Sequence, residues 1–293
     1  MSLLQSSSKK LGEMFRQLHE KNVSKRRQEE EELGNALLTE DPNIIHSYLR
    51  FRPPSNSTED MSLYDISGDL QTVTVKYEQP KTGLEAIGIM GNNQANQQKD
   101  PGNYQTMIYK FDKIFGTTST NLDIYNEVCM DYVNNLFTQK KSTLFFAYGL
   151  TNGGKSHMIT GNNSDPGILP LAMVHLLRKA LEFKKTLKCS YVEIYNEDVY
   201  DLLSEPKKKV QVKEKEKLFF LDGATEVTAN SIDDFENALN LGFNQKSMSS
   251  TRLNPNSSRS HCVFRIFCPE DKVSISICDL AGVERSTKAG TTG

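Results

Sequence analysis

The chain has 293 residues, 37% hydrophobic and 25% charged, with a formal net charge of -2. It is long enough to bury a real core in one or two domains, and with no global basic field neither nucleic acid nor a membrane surface is expected as a partner. No apolar run approaches membrane-spanning length, the first ten residues lack a signal-peptide centre, and five scattered cysteines with no C-x-x-C pair suit reduced cytosolic thiols better than disulfides or zinc.

Taken in chain order, residues 1–42 stand apart. Lys25-Arg26-Arg27 runs into Glu29 to Glu32 between sparse apolar positions, a composition that suits a solvated helix, a partner-binding helix or disorder. Asp41-Pro42 marks the boundary, and 43–293 is expected to form the folded body. A strand is expected from Ile44 to Phe51, ending in Leu49-Arg50-Phe51-Arg52-Pro53, where Arg50, Arg52 and Pro53 could flank a flat ring by stacking. Thr72 to Tyr77 alternates as a second strand. Gln79 to Asn103, rich in Gly, Asn, Gln and Pro, reads as a long loop. Tyr104 to Phe111 is a third strand, and Asn121 to Phe137 carries apolar residues at helical spacing.

Next comes the apolar run Leu144 to Tyr148, followed by Gly149-Leu150-Thr151-Asn152-Gly153-Gly154-Lys155-Ser156. This is G-x-x-x-x-G-K-[ST] directly after a strand. Backbone N–H groups of such a loop can wrap a polyphosphate, with Lys155 reaching the outer phosphates and the Ser156 hydroxyl ligating Mg²⁺.

A helix is expected from Ile168 to about Lys184, then paired strands Tyr191–Tyr195 and Val199–Leu203 about an Asn196-Glu197-Asp198 turn. A second helix begins after Ser231 as N-cap, with Asp233 and Asp234 in its first turn. Cys262–Phe267 and Val273–Asp279 read as strands. Strands interleaved with helices around a phosphate loop point to an α/β fold, a P-loop NTPase whose central mostly parallel or mixed sheet is flanked by helices.

Holding a nucleotide is not hydrolysing it, which also needs a metal-side carboxylate, a positioned water and elements that sense the γ-phosphate. The loop Asn254-Pro255-Asn256-Ser257-Ser258-Arg259-Ser260-His261 is dense in groups that can orient water or complete a Mg²⁺ shell. Ile275 to Asp279, followed by Leu280-Ala281-Gly282-Val283-Glu284-Arg285, has the layout of a strand ending in a metal-side aspartate. Standing alone, Asp279 would read more readily as a helix cap; the phosphate loop upstream reverses that preference.

Together these stretches resemble one family, the kinesin motor domain. Tyr148 to His157 with Gly161 looks like its phosphate loop, 254–261 its switch I, and 279–285 its switch II, with Val283 where serine is usual. Residues 50–53 resemble its adenine-side motif, and 111–116 and 191–203 are similar to family strands. The sequences at 167–170 and 250–254 lean toward the cytokinetic, mitotic-kinesin-like branch.

Carried over by position, the resemblance implies ATP and Mg²⁺ as cofactors and microtubules as partner, in the cytoplasm on the cytoskeleton, the spindle included. Thr151 to Ser156 would cradle the phosphates. Arg50, Arg52, Pro53 and His157 would surround the adenine. Ser257 would orient the attacking water; Ser258 would join Ser156 and Asp279 at Mg²⁺. Arg259 and Glu284 would latch the switches and Gly282 would sense the γ-phosphate. The implied activity is a microtubule-stimulated ATPase driving movement.

A kinesin continues well past switch II, whereas this sequence stops at Gly293, so much of the tubulin-facing half is expected to be missing, and coiled-coil or homodimer contacts are not encoded in it. The alternative is a truncated nucleotide-binding module without motor activity. A P-loop kinase or GTPase fits less well, because no N/T-K-x-D guanine signature follows. Lys207 to Lys209 and Lys213 to Lys217 fall where the family places a tubulin-side hairpin; a solvated charged loop is the plain alternative.

Overall fold

The computed structural model describes residues 45–54, 61–78, 104–162, 164–215, 218–248 and 259–283. The charged extension over 1–42, the Gln79–Asn103 loop, residues 254–258 and Glu284 lie outside them. The chain divides into two compact units: Leu37–Ser119, and a larger one that includes Thr120–Gly293.

The smaller unit is built of strands. β1 (Tyr48–Arg50) pairs in parallel with β5 (Lys113–Phe115). β2 (Tyr64–Ile66), β3 (Thr72–Glu78) and β4 (Tyr104–Lys110) form an antiparallel meander. The turn before β3 is closed by Ser67 and Asp69, whose carboxylate accepts the Gln71 N–H at 3.0 Å. The Ser67 hydroxyl and that amide hold the Asp69 carboxyl below its ordinary pKa.

In the larger unit, Thr120 caps α1 (Asn121–Ile124) in a capping box with Asp123. The expected helix does run to Thr138, but not uniformly: a π turn (Tyr125–Cys129) separates α1 from α2 (Met130–Thr138). At its start the Tyr125 side chain is fully buried and its hydroxyl meets His175 Nδ1 at 2.9 Å, a polar partner for a phenol whose pKa burial has raised.

The central sheet has eight strands. Its order is β10 (Leu218–Asp222), β9 (Lys208–Lys215), β8 (Asp198–Asp201), β7 (Leu187–Tyr195), β12 (His261–Cys268), β13 (Val273–Asp279) and β6 (Thr143–Ala147), with β11 (Val227–Ala229) paired to β7. The sheet is mixed, as expected. Its parallel ladder joins β13 to β6, and the other ladders are antiparallel. Asn196 and Glu197 take positive φ, 50° and 65°, which gives β7 and β8 the hairpin turn whose twist matches theirs.

Among the described residues the unit also holds α3 (Lys155–Ile159), α4 (Ile168–Phe183) and α5 (Ile232–Met248). α4 buries Ile168, Leu169, Leu171, Ala172, Met173, Leu176 and Ala180, each large side chain worth about 1.5–3 kcal/mol against exposure. α5 starts as expected, with Asp234 N–H donating to the Ser231 hydroxyl at 3.2 Å. All five cysteines are free and buried; burial lifts Cys129 and Cys189 to about 12 and Cys278 to about 11, so these thiols are poor nucleophiles.

Gly242 lets α5 lie against β7, because a Cβ there would stand 2.1 Å from the Tyr191 ring. Gly242→Ala is therefore expected to destabilise by about 1–3 kcal/mol, although alanine in an open helix site gains about 0.5–1 kcal/mol. A denaturant midpoint at or above wild type would contradict this contact.

Candidate nucleotide site

Because β6 and β13 run parallel, they finish side by side, Ala147 opposite Asp279. The loop 149–156 leaves one strand end and the segment 280–283 the other. Ligands collect at such adjacent carboxyl ends, where chain reversals leave a crevice.

The loop is tightly wound. Gly153 N–H donates to Leu150 O at 3.0 Å, Asn152 has φ 61°, and Gly154 (φ 88°) is the N-cap of α3. Lys155 bends its ammonium back over the loop, donating to Gly149 O at 3.0 Å and Leu150 O at 2.9 Å. A cation thus stands among backbone amides at a strand-to-helix turn, an arrangement suited to phosphate.

Ser156 and Asp279, 123 residues apart, meet here: the serine hydroxyl donates to Asp279 Oδ2 at 2.6 Å. Asp279 Oδ1 is buried and has no hydrogen-bond partner among the described residues. A hydroxyl and a carboxylate side by side, with one carboxylate oxygen still unmatched, are a hard oxygen donor set that fits Mg²⁺ and its bound waters.

The segment after Asp279 is docked on the loop. Val283 N–H donates to Gly149 O at 3.1 Å, and Ala281 N–H donates to His261 Nδ1 at 3.1 Å, tying it to the start of β12. Gly282 packs on Thr151 so closely that a Cβ would lie 2.0 Å from its Oγ1 and 3.0 Å from its backbone nitrogen. Gly282→Ala is expected to unseat this segment and weaken polyphosphate binding at the loop roughly tenfold or more, the scale of a docking contact worth at least about 1.4 kcal/mol. Wild-type affinity for tripolyphosphate in that variant would show the contact to be irrelevant.

The structure brings together Gly149 to Ser156, Asp279 and Gly282. His157, on α3, presents Nε2 to Asp165 Oδ2 at 3.1 Å. The fully buried Asn121 clasps the same corner, its amide donating to His157 O at 3.1 Å and its backbone N–H to Asp165 Oδ1 at 3.1 Å. Arg259 is exposed just before β12. Arg50, Arg52 and Pro53 belong to the smaller unit, where Arg50 Nη2 donates to Ser119 O at 3.3 Å and Arg52 Nη1 to Pro53 O at 3.3 Å. Asn254, Ser257, Ser258 and Glu284 fall outside the described residues. Sequence reasoning missed Asn121 and Asp165, and it gave His261, the last residue of the 254–261 stretch, no role of its own. Of the two missed, Asp165, in a turn-forming Asp-Pro-Gly, carried a local signal.

The kinesin motor domain family model matches residues 50–293. The kinesin-like protein KIF22 of Xenopus tropicalis is 34% identical over 231 residues, covering 72% of this chain and 35% of that protein. The human kinesin-like protein KIF18B is 29% identical over 270 residues, 86% of this chain and 31% of that protein. The chain thus spans about a third of these relatives' length. Among solved structures, that of a fast kinesin matches with a TM-score of 0.64 at 24% identity, over 85% of this chain and 68% of that one; the likeness is one of fold.

Proposed function

The chain belongs to the kinesin motor-domain family, and from that premise we propose that it binds ATP with Mg²⁺ and hydrolyses it to ADP and phosphate as part of a microtubule-based motor. The observation that carries this reading is the 2.6 Å contact between Ser156 and Asp279 at the mouth of the phosphate loop.

In this proposal the loop amides from Thr151 to Ser156 seat the phosphates and the Lys155 ammonium offsets their outer charge. Ser156, Ser258 and (through water) Asp279 would hold Mg²⁺, which neutralises charge on the β- and γ-phosphate oxygens. Ser257 orients the attacking water, with Asn254 in the same loop. Arg259 and Glu284 latch the two switches. Gly282 offers its N–H to the γ-phosphate, so that phosphate loss is felt through the Val283–Gly149 and Ala281–His261 contacts. The motor body is 43–293, and the protein acts on microtubules in the cytoplasm, the spindle included.

The deciding experiment is phosphate release by the purified chain with and without microtubules. Turnover is expected to rise at least severalfold when they are added. Slow turnover indifferent to microtubules would reject the motor and leave a nucleotide-binding module.

A further inference from the structure

At the end of the sheet away from the phosphate loop, three chain reversals meet: 139–142 between α2 and β6, 184–186 between α4 and β7, and 269–272 between β12 and β13. They are tied to one another. Ser274 N–H donates to the Ser142 hydroxyl at 3.0 Å, and Thr186 N–H donates to Glu270 Oε1 at 3.0 Å. Asp271, its side chain only 6% exposed, pairs with Lys140 at 3.1 Å and with Lys185 at 2.8 Å. Those two ammoniums hold its carboxyl below the ordinary pKa, so its charge is already committed.

Positive charge is in excess here. Lys140, Lys141, Lys184, Lys185 and Lys272 stand against the two carboxylates of Glu270 and Asp271, five charges against two and a surplus of three. Lys141, Lys184 and Lys272 are exposed and have no carboxylate partner among the described residues. The lysines along β9 are different, because each has an acid of its own: Lys207 has Glu193, Lys208 Asp201, Lys209 Asp198 and Lys213 Asp222. Three of the sheet-end lysines also sit in left-handed backbone, with φ of 54° at Lys140, 51° at Lys184 and 58° at Lys272, a conformation that disfavours any residue with a Cβ. A helix C-terminus favours a cation at Lys140 and Lys184. Lys272 turns a hairpin and has no helix to serve, so its charge is kept against the backbone preference.

The chain itself carries the matching charge. Four consecutive carboxylates occur once, at Glu29 to Glu32. Lys25, Arg26 and Arg27 precede the first three by four positions, but in a helix that order, basic residue first, is the weaker one, and Glu32 has only Gln28 there. Thirteen residues link Glu32 to Ile45, where the described chain starts. Extended, they span up to about 45 Å, more than twice the radius of gyration of about 18 Å expected for a body of this size. The acidic tract can therefore reach this face.

We propose that Glu29–Glu32 docks in cis on this end of the sheet, with Lys141, Lys184 and Lys272 as its ionic contacts. Docking fastens the N-terminal segment to the larger unit and closes the lysine face to other polyanions. It lies at the opposite end of β6 from the nucleotide loop and does not depend on the nucleotide reading.

The test is paramagnetic broadening in the full chain, deuterated and ¹⁵N-labelled, with a nitroxide on Gly34→Cys just past the acidic tract. The five native thiols are buried and raised in pKa by that burial, so the label goes to the introduced one. At low salt the amides at 140–142, 184–186 and 270–272 are expected to lose most of their intensity relative to the same sample with its nitroxide reduced. Salt of about 1 M, where screening acts beyond about 3 Å, is expected to restore them. The triple change Lys141→Gln, Lys184→Gln and Lys272→Gln is expected to do the same at low salt, and these exposed positions leave the rest of the spectrum in place. Full intensity at all three turns at low salt would overturn the proposal, as would losses that persist in the triple variant or in about 1 M salt. Losses centred on 208–215 instead would also overturn it. A mixture of ¹⁵N chain without nitroxide and nitroxide-bearing chain without ¹⁵N is expected to show no broadening; broadening there would place the tract on a second copy and contradict docking in cis.

Discussion

Lys155→Ala is expected to lower affinity for ATP at least a hundredfold, a loss of about 2.8 kcal/mol. The side chain makes its contacts at the tip, where the ammonium donates to Gly149 and Leu150 carbonyls within the loop itself, so truncation removes a charge from the phosphate cradle without opening the core. Net hydrogen bonds to charged groups contribute about 1.5–3 kcal/mol each, and the triphosphate presents several oxygens to this one cation. Titration of a fluorescent ATP analogue into both proteins measures the effect. Undiminished binding would mean that the loop is not the phosphate site.

Asp279→Asn is the second large effect. It keeps the shape of the side chain and removes its charge, so the hydrogen bond from Ser156 can persist while the metal-side carboxylate is gone. ATP turnover is expected to fall at least a hundredfold, about 2.8 kcal/mol of barrier, whereas nucleotide binding without Mg²⁺ is expected to change less than about threefold, within about 0.7 kcal/mol. Phosphate release across a Mg²⁺ titration separates the two. A variant with the wild-type Mg²⁺ dependence would remove Asp279 from the metal site.

Much of the fold was written in local pattern. The spacing of Leu169, Leu171, Ala172 and Leu176 marked α4, the alternation of Val73 and Val75 marked β3, and Asn196-Glu197 marked the turn between β7 and β8. Each of these depends on neighbours within one turn or one pleat. β9 gave no such signal: of Lys208–Lys215 only Val210 is buried, and the strand is held instead by pairing and by cross-strand charges such as Lys213–Asp222 at 2.6 Å. β2 and β11, three residues each, are too short to show a period. The π turn left no local pattern either, and the partner of its Tyr125, His175, lies fifty positions away.

The site divides along the same line. The phosphate loop is a contiguous motif, and Asp279 was legible as a strand end. What the sequence could not display is how those pieces touch. The docking of 280–283 on the loop depends on Thr151 and Gly149, and the orientation of His157 depends on Asn121 and Asp165.

The claim on which the rest stands is that Ser156 and Asp279 serve one metal ion at the nucleotide. It is tested most directly by a double-mutant cycle read as the Mn²⁺ dissociation constant of the ADP complex, measured by electron paramagnetic resonance for wild type, Ser156→Ala, Asp279→Asn and the double variant. Each single change is expected to weaken Mn²⁺ roughly tenfold or more, and the double variant to lose far less than the sum, a coupling of at least about 1 kcal/mol. Wild-type Mn²⁺ affinity in either single variant, or losses that simply add, would contradict it.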